Sequence, residues 1–237
     1  MSASPRGPTV KASRRPRIPP ADDIYQQIVS AIFEHRLAPG TRLVEDRLVN
    51  IFGANRNRIR SVLARLAHEQ LVRLEPNRGA FVAAPSPREA REIFESRRLI
   101  EPGVVRRLVE VIDSRGIEQL RALVHDEAKA RADNDRRTII RMSGEFHMAL
   151  AQLGGNTFLT KTMRELSSLT CLIIFLYDAP SIPSCRGDEH AEITEAIASK
   201  DAERAVQLML HHLDHVEQNL ALQEAKPVGL ALEQIFA

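Results

Sequence analysis

Apolar positions recur at helical spacing through most of the chain. Ile24, Ile28, Ala31 and Ile32 form one stripe on a helix that starts near Asp22. Asp22 and Asp23 suit the positive end of that helix. Ala38-Pro39-Gly40-Thr41 reads as a turn, because Pro39 fixes φ and Gly40 permits positive φ. A short helix follows from about Glu45 to Phe52, with Leu48 and Ile51 inward and Gly53 as its stop. Ile59, Val62, Leu63 and Leu66 lie at i, i+3, i+4 and i+7 and predict a third helix, capped by Asn55. The period then changes. Leu71–Leu74 and Ala80–Val82 are short apolar runs flanking Glu75-Pro76-Asn77-Arg78-Gly79, which is the pattern of a β-hairpin. Three helices and a hairpin predict a winged helix-turn-helix over residues 21–85. Pro85-Ser86-Pro87 predicts a stiff break where that domain ends.

Beyond the break only helical patterns occur. Ile93, Leu99, Ile100, Val104, Leu108 and Val111 mark a long helix, with a kink expected near Pro102-Gly103. Ile117, Leu120, Leu123 and Val124 mark a second. Ile139, Ile140, Phe146 and Leu150 mark a third, ended by Gly154-Gly155-Asn156. A fourth is marked by Phe158, Leu159, Met163, Leu166, Leu169 and the apolar group 172–175. Ile193, Ala196 and Ile197 mark a fifth; Ala205, Leu208, Met209, Leu213, Val216 and Leu220 mark a sixth. The fold class is therefore mainly α: an N-terminal winged helix-turn-helix and a C-terminal all-helical bundle over residues 86–226. Residues 1–20 read as a disordered basic arm, and residues 227–237 as a tail that docks or frays.

Composition narrows the function. The 237 residues are 43% hydrophobic and 27% charged, an ordinary globular balance. No apolar run reaches the ~18 residues that span a bilayer, so no membrane association is expected. The opening segment has no apolar leader core, and two cysteines, Cys171 and Cys185, fit a reducing cytoplasm rather than a disulfide framework. Aromatics at 4% argue against a stacking platform for single strands. The net charge of +2 divides unevenly, into +7 over residues 1–86 and −5 over the remainder. The basic part points to a polyanion.

Five arginines (47, 56, 58, 60 and 65) and no acidic residue lie between positions 47 and 65. The apolar stripe of the third helix leaves Arg56, Asn57, Arg60 and Arg58 to face out near its N-terminal end, the end that enters the major groove. Arginine can bind guanine, and asparagine adenine, through two parallel hydrogen bonds. Arg78 sits at the hairpin tip, where a wing reaches the minor groove or the backbone. The partner read from these residues is double-stranded DNA.

The runs Pro39–Leu48, Asn55-Arg56-Asn57-Arg58-Ile59-Arg60 and Pro76-Asn77-Arg78-Gly79-Ala80-Phe81-Val82 resemble the GntR family of bacterial transcriptional regulators. The helical remainder resembles the family's FadR-type branch, with an FCD effector domain. The resemblance covers residues 22–222. It implies that Arg47, Arg56, Arg60 and Gly79 contact DNA, with Asn55, Asn57, Arg58, Asn77 and Arg78 as their neighbours on that face. The family's usual turn, Ser-Arg-Thr-Pro-Val-Arg, is replaced here by Asn55-Arg56-Asn57-Arg58-Ile59-Arg60, so the base preference of relatives does not carry over.

The acidic part is rich in histidine. His35, His68 and His125 read as surface or structural residues. His211 and His215 stand at i, i+4 and can chelate a metal, and spacing alone does not rank them against His212. The family resemblance does. Metal-binding FCD domains carry Asp-x-x-x-His on one helix and single histidines on two later ones, which implies His147, His190 and His212. The aspartate position is Ser143, a poor ligand. Three imidazoles still form a complete protein set for zinc with one open position, so a divalent ion such as zinc or nickel is expected at lowered affinity. Arg97, in Arg97-Arg98-Leu99-Ile100-Glu101, matches a family arginine and falls near the apolar stripe. A buried cation needs an anion. Glu101 or an effector carboxylate supplies it, with the effector favoured.

The expected protein is a cytoplasmic transcriptional regulator, a repressor, that reads an inverted repeat as a homodimer. Its helical domain is expected to bind a small carboxylate effector through Arg97, Ser143, His147, His190 and His212. A metal-dependent enzyme fused to a DNA anchor is the rival reading. The chain shows no nucleophile motif, Gly-rich phosphate loop or general base at a diagnostic spacing from the histidines. In a further alternative the helical domain only dimerises.

Overall fold

The computed structural model describes residues 19–34, 36–177 and 188–222. Cys185, His35, the tail from 227 and most of the N-terminal arm lie outside them. Helix α1 (Ala21–Phe33) buries Ile24, Ile28, Ala31 and Ile32, as its periodicity requires. Helix α2 (Glu45–Phe52) stops at Gly53, which adopts φ 59°. Helix α3 (Arg56–His68) starts where the Asn55 side chain accepts a hydrogen bond from the Arg58 N–H at 2.8 Å. Its stripe of Ile59, Val62, Leu63 and Leu66 is buried. Strands β2 (Val72–Glu75) and β3 (Gly79–Val82) form the antiparallel hairpin, with Val72 opposite Val82 and Glu75 opposite Gly79. Asn77 and Gly79, at φ 60° and 100°, make its turn. A strand not expected from the pattern, β1 (Arg42–Leu43), pairs with β3 and gives the order β1-β3-β2. Two residues are too few for alternation to announce it.

The junction also differs from expectation. Pro85-Ser86-Pro87 is no free spacer. Ser86 caps helix α4 (Pro87–Val111) in a reciprocal capping box with Glu89, and Pro87 is its first residue. Helix α4 continues through Pro102 and Gly103 as one element of 25 residues. Five helices follow among the described residues: α5 (Ser114–Ala132), α6 (Arg136–Leu153), α7 (Thr157–Tyr177), α8 (Glu189–Ala198) and α9 (Ala202–Gln218). Helix α4 packs on α6, α7 and α9, and α5 packs on α6 and α8. Three apolar residues used to mark helices face solvent: Leu99, Val111 and Phe158. On α4 the inward face runs through Phe94, Arg97, Glu101, Val104 and Leu108, so two of its positions are charged.

Two apolar cores result. One lies inside the helical bundle around Val105, Leu108, Phe146, Met163, Ile197 and Met209. The other joins the winged helix to the bundle: α1, α3 and the wing share it with Ile140, Cys171, Ile174, Tyr177 and Val216. The Tyr177 hydroxyl donates to the buried Pro85 carbonyl at 2.9 Å and ties α7 to the segment between the two parts.

Candidate functional site

Arg47, Asn55, Arg56, Asn57 and Arg60 are exposed along α2, the turn and the start of α3. Arg58 turns away from them. Its Nη1 donates to the Pro19 carbonyl at 2.9 Å, against the entry to α1. The Asn55 side-chain oxygen is occupied as the helix cap. Arg78 projects from the hairpin tip between Asn77 and Gly79, with its guanidinium 5.4 Å from the Phe81 ring centre. The acid-free run of sequence is not acid-free in space. Asp46 pairs with Arg56 at 2.9 Å, Glu45 with Arg60 at 2.9 Å, and Glu75 with Arg78 at 2.5 Å. Glu45 and Asp46 lie just before the arginine run and pack onto it, and Glu75 pairs within the hairpin.

A second constellation is built in the middle of the bundle. Helix α4 contributes Arg97 and Glu101, α5 Glu127, α6 Ser143 and His147, α7 Ser167 and Thr170, α8 Glu189 and His190, and α9 His212; all are buried. One ring nitrogen from each of His147, His190 and His212 lies within 4.8 Å of the others. His211 and His215 are not part of this group; their rings stack on each other 6.4 Å apart, and His215 pairs with Glu189 at 2.7 Å.

Each of the three imidazoles is backed by a carboxylate. His147 Nδ1 lies 2.8 Å from Glu101, His190 Nδ1 2.7 Å from Glu127, and His212 Nδ1 2.7 Å from Glu189. Burial lowers the His147 imidazole to about 4 and His212 well below its ordinary value, so both are neutral near pH 7. Burial by itself raises the Glu101 carboxyl, but Arg97 and His147 outweigh it and hold it down to about 2. Glu127 is likewise lowered, because His190 and Arg131 overcome its burial. An ionised carboxylate accepts a hydrogen bond from Nδ1–H, which leaves the Nε2 lone pair facing inward. His147 Nε2 and His212 Nε2 face each other at 3.2 Å, and His190 Nε2 is buried with no hydrogen-bond partner among the described residues. Lone pairs so placed repel unless a cation sits between them. Two nitrogens bound to one tetrahedral ion at 2.0–2.1 Å stand about 3.3 Å apart. The donor set thus fits a divalent metal.

Within the chain, Arg97 has Glu101 as its anion. Arg97 Nε donates to Glu101 at 2.5 Å and Nη1 to Thr170 at 3.2 Å. Arg97 Nη2 and the Ser167 hydroxyl are buried without hydrogen-bond partners among the described residues. Both residues line a cavity of about 10 Å³ with Ser143, His147 and Thr170, room for roughly one water-sized group. Glu145 points elsewhere, to Arg141 at 2.7 Å. Glu127, Glu189 and Ser167 had no role in the sequence reading. Glu189 adjoins His190 in the chain, but Glu127 is 63 residues from it and carries no local signal.

This is the architecture of a transcriptional regulator: a winged helix-turn-helix fused to a helical bundle with a buried polar centre. Residues 20–82 match the model of bacterial regulatory proteins of the gntR family, and residues 92–215 match the FCD domain. The chain belongs to the GntR regulators that carry an FCD domain. It is 24% identical over 213 residues to the HTH-type transcriptional repressor RspR of Escherichia coli K12, covering 90% of this chain and 93% of that one. It is 26% identical over 208 residues to the HTH-type transcriptional regulator YdhC of Bacillus subtilis, covering 85% and 92%. A solved GntR regulator from Rhodococcus sp. RHA1 shares the fold, with a TM-score of 0.73 at 24% identity over 84% of this chain and 95% of that one. These relatives are transcriptional regulators, not enzymes. No helix among the described residues is long and apolar enough to cross a membrane.

Proposed function

We propose that this chain is a cytoplasmic, ligand-responsive repressor that binds an inverted-repeat operator as a homodimer. A small carboxylate bound in the helical domain modulates its DNA affinity. The convergence of three carboxylate-backed imidazole nitrogens on one buried point carries this reading. His147, His190 and His212 would hold a divalent ion, zinc or nickel, which when bound offers an open position to a carboxylate. Arg97, with one N–H group unpartnered, and the hydroxyls of Ser143 and Ser167 would orient that carboxylate. On the other part of the molecule, the exposed edge of α3 enters the major groove, and the wing residues Asn77, Arg78 and Gly79 contact the adjacent backbone. Two-fold protein symmetry would be mirrored in the operator. The name of the RspR relative supports repression.

Elemental analysis of the untagged full chain, purified without chelator, tests the centre. About one equivalent of a divalent metal is expected, and none in the His147/His190/His212 triple-alanine variant. Absence of metal after loading with zinc or nickel overturns the metal, while equal metal in both proteins overturns these ligands. Operator binding titrated against a panel of small carboxylates tests the effector.

A further inference from the structure

Among the arginine–carboxylate pairs on the DNA-reading face, Arg60–Glu45 has a distinct geometry. Arg60 donates through Nε, at 2.9 Å to Glu45 Oε2. Its two terminal nitrogens have no partner among the described residues, and its side chain is 62% exposed. Bidentate reading of guanine O6 and N7 needs two parallel N–H groups, and the terminal pair supplies them. The other two pairs engage that fork. Asp46 holds Arg56 at Nη2, and Glu75 holds Arg78 at Nη1. Those carboxylates sit on a terminal nitrogen itself, whereas the carboxylate on Arg60 sits on Nε and leaves both terminal nitrogens without a hydrogen bond among the described residues.

We propose that Glu45 is a positioning residue for base recognition: it holds Arg60 by Nε so that the terminal fork is presented to a guanine. The proposal rests on the reading that α3 enters the major groove. An exposed ion pair adds little to stability, so its consequence is sought at the DNA. An arginine whose rotamers are already restricted loses less freedom on binding a base. The same carboxylate repels nearby phosphate, which disfavours backbone-only contact and sharpens discrimination.

The test is selection from a randomised duplex library with the full chain, followed by competition titration at each position. Wild type is expected to prefer guanine about tenfold at one position per half-site, within what a bidentate contact discriminates. Arg60→Ala should erase that preference. Glu45→Ala should erase most of it at the same position, while binding random duplex as tightly as wild type or more so. Glu45→Gln, whose amide oxygen still accepts from Nε, should retain it. Asp46→Asn removes an equal charge from the same helix and should leave that position unchanged. Matching melting curves separate these effects from loss of fold. If Arg60→Ala changes no position, the placement of Arg60 in the groove fails. If Arg60→Ala relaxes a position that Glu45→Ala leaves intact, the positioning role of Glu45 alone is overturned. Uniformly tighter binding of Glu45→Ala with an unchanged motif means plain charge repulsion, and also overturns it.

Discussion

Replacing Glu101 by glutamine keeps the shape of the buried centre and removes one charge. Glu101 is 1% exposed and accepts from two donors, Arg97 Nε at 2.5 Å and His147 Nδ1 at 2.8 Å. The two donors sit on different oxygens, Oε1 and Oε2, and glutamine keeps only one of these positions as an acceptor. If it serves His147, the Arg97 cation stays buried without its anion. Breaking a buried ion pair on one side costs about 3–5 kcal/mol. For a chain of this size that lowers the melting temperature by about 6–20 °C, at 2–4 °C per kcal/mol. The paired variant Arg97→Met/Glu101→Gln removes the stranded cation and leaves the amide oxygen for His147. Most of the loss should return, because an apolar replacement of a whole buried pair is often neutral. The assay is urea unfolding followed by circular dichroism, with chelator present so that metal does not contribute. A loss below about 1 kcal/mol in Glu101→Gln refutes the reasoning. So does a paired variant less stable than the single one, because Arg97 would then contribute through packing rather than through charge.

Two further outcomes are expected. Folding lowers Glu101 from 4.5 to about 2, where Arg97 and His147 outweigh burial, and lowers His147 from 6.5 to about 4 through burial. The unfolded chain therefore binds more protons in acid, so this stability is complete above about pH 6.5 and declines as pH falls toward 2. Urea midpoints measured at pH 7, 5.5 and 4 should fall in that order, and equal midpoints reject the assignment. Binding to random duplex, followed by fluorescence anisotropy, should weaken about a thousandfold between 50 and 200 mM salt if six phosphates are contacted. A flat titration rejects backbone-led binding.

The winged helix was legible because its signals are local. The stripe of α3, the Asn55 cap and the Asn77–Gly79 turn each act within a few residues, and each is where the sequence placed it. Strand β1 was not legible, since its partner Phe81 is distant in the chain and two residues carry no period. On α4 the apolar pattern misled at Leu99 and Val111, which are 78% and 51% exposed. Arg97 and Glu101 hold inward positions that a hydrophobic reading assigns to solvent. The three histidines came from family resemblance, because spacing alone did not separate His212 from His211 and His215. What backs them was hidden: Glu101, Glu127 and Glu189 reach their imidazoles from 46, 63 and 23 residues away. Only tertiary packing brings such pairs together.

The internal pairing of Arg97 changes what an effector must supply. Because Glu101 neutralises Arg97, an incoming carboxylate is not needed to hold a buried cation. On the proposed reading, its main attraction is the ion held by the imidazoles. At this centre Ser143 offers a hydroxyl and no charge, and Arg97 Nη2 would be the second contact on that reading. A cavity of about 10 Å³ admits little more than a water-sized group, so a larger anion has to part α4, α6 and α7. Helix α7 is where that displacement has consequences. It lines the cavity with Ser167, Thr170, Cys171 and Ile174, and Cys171 and Ile174 pack with Tyr177 in the core shared with the winged helix. Tyr177 also holds the Pro85 carbonyl at the head of α4. A ligand changes DNA affinity only by favouring one arrangement of the two parts over another. On the proposed reading, an anion too large for the closed cavity would do so by its size, through a helix that lines the cavity and packs in the core shared with the winged helix.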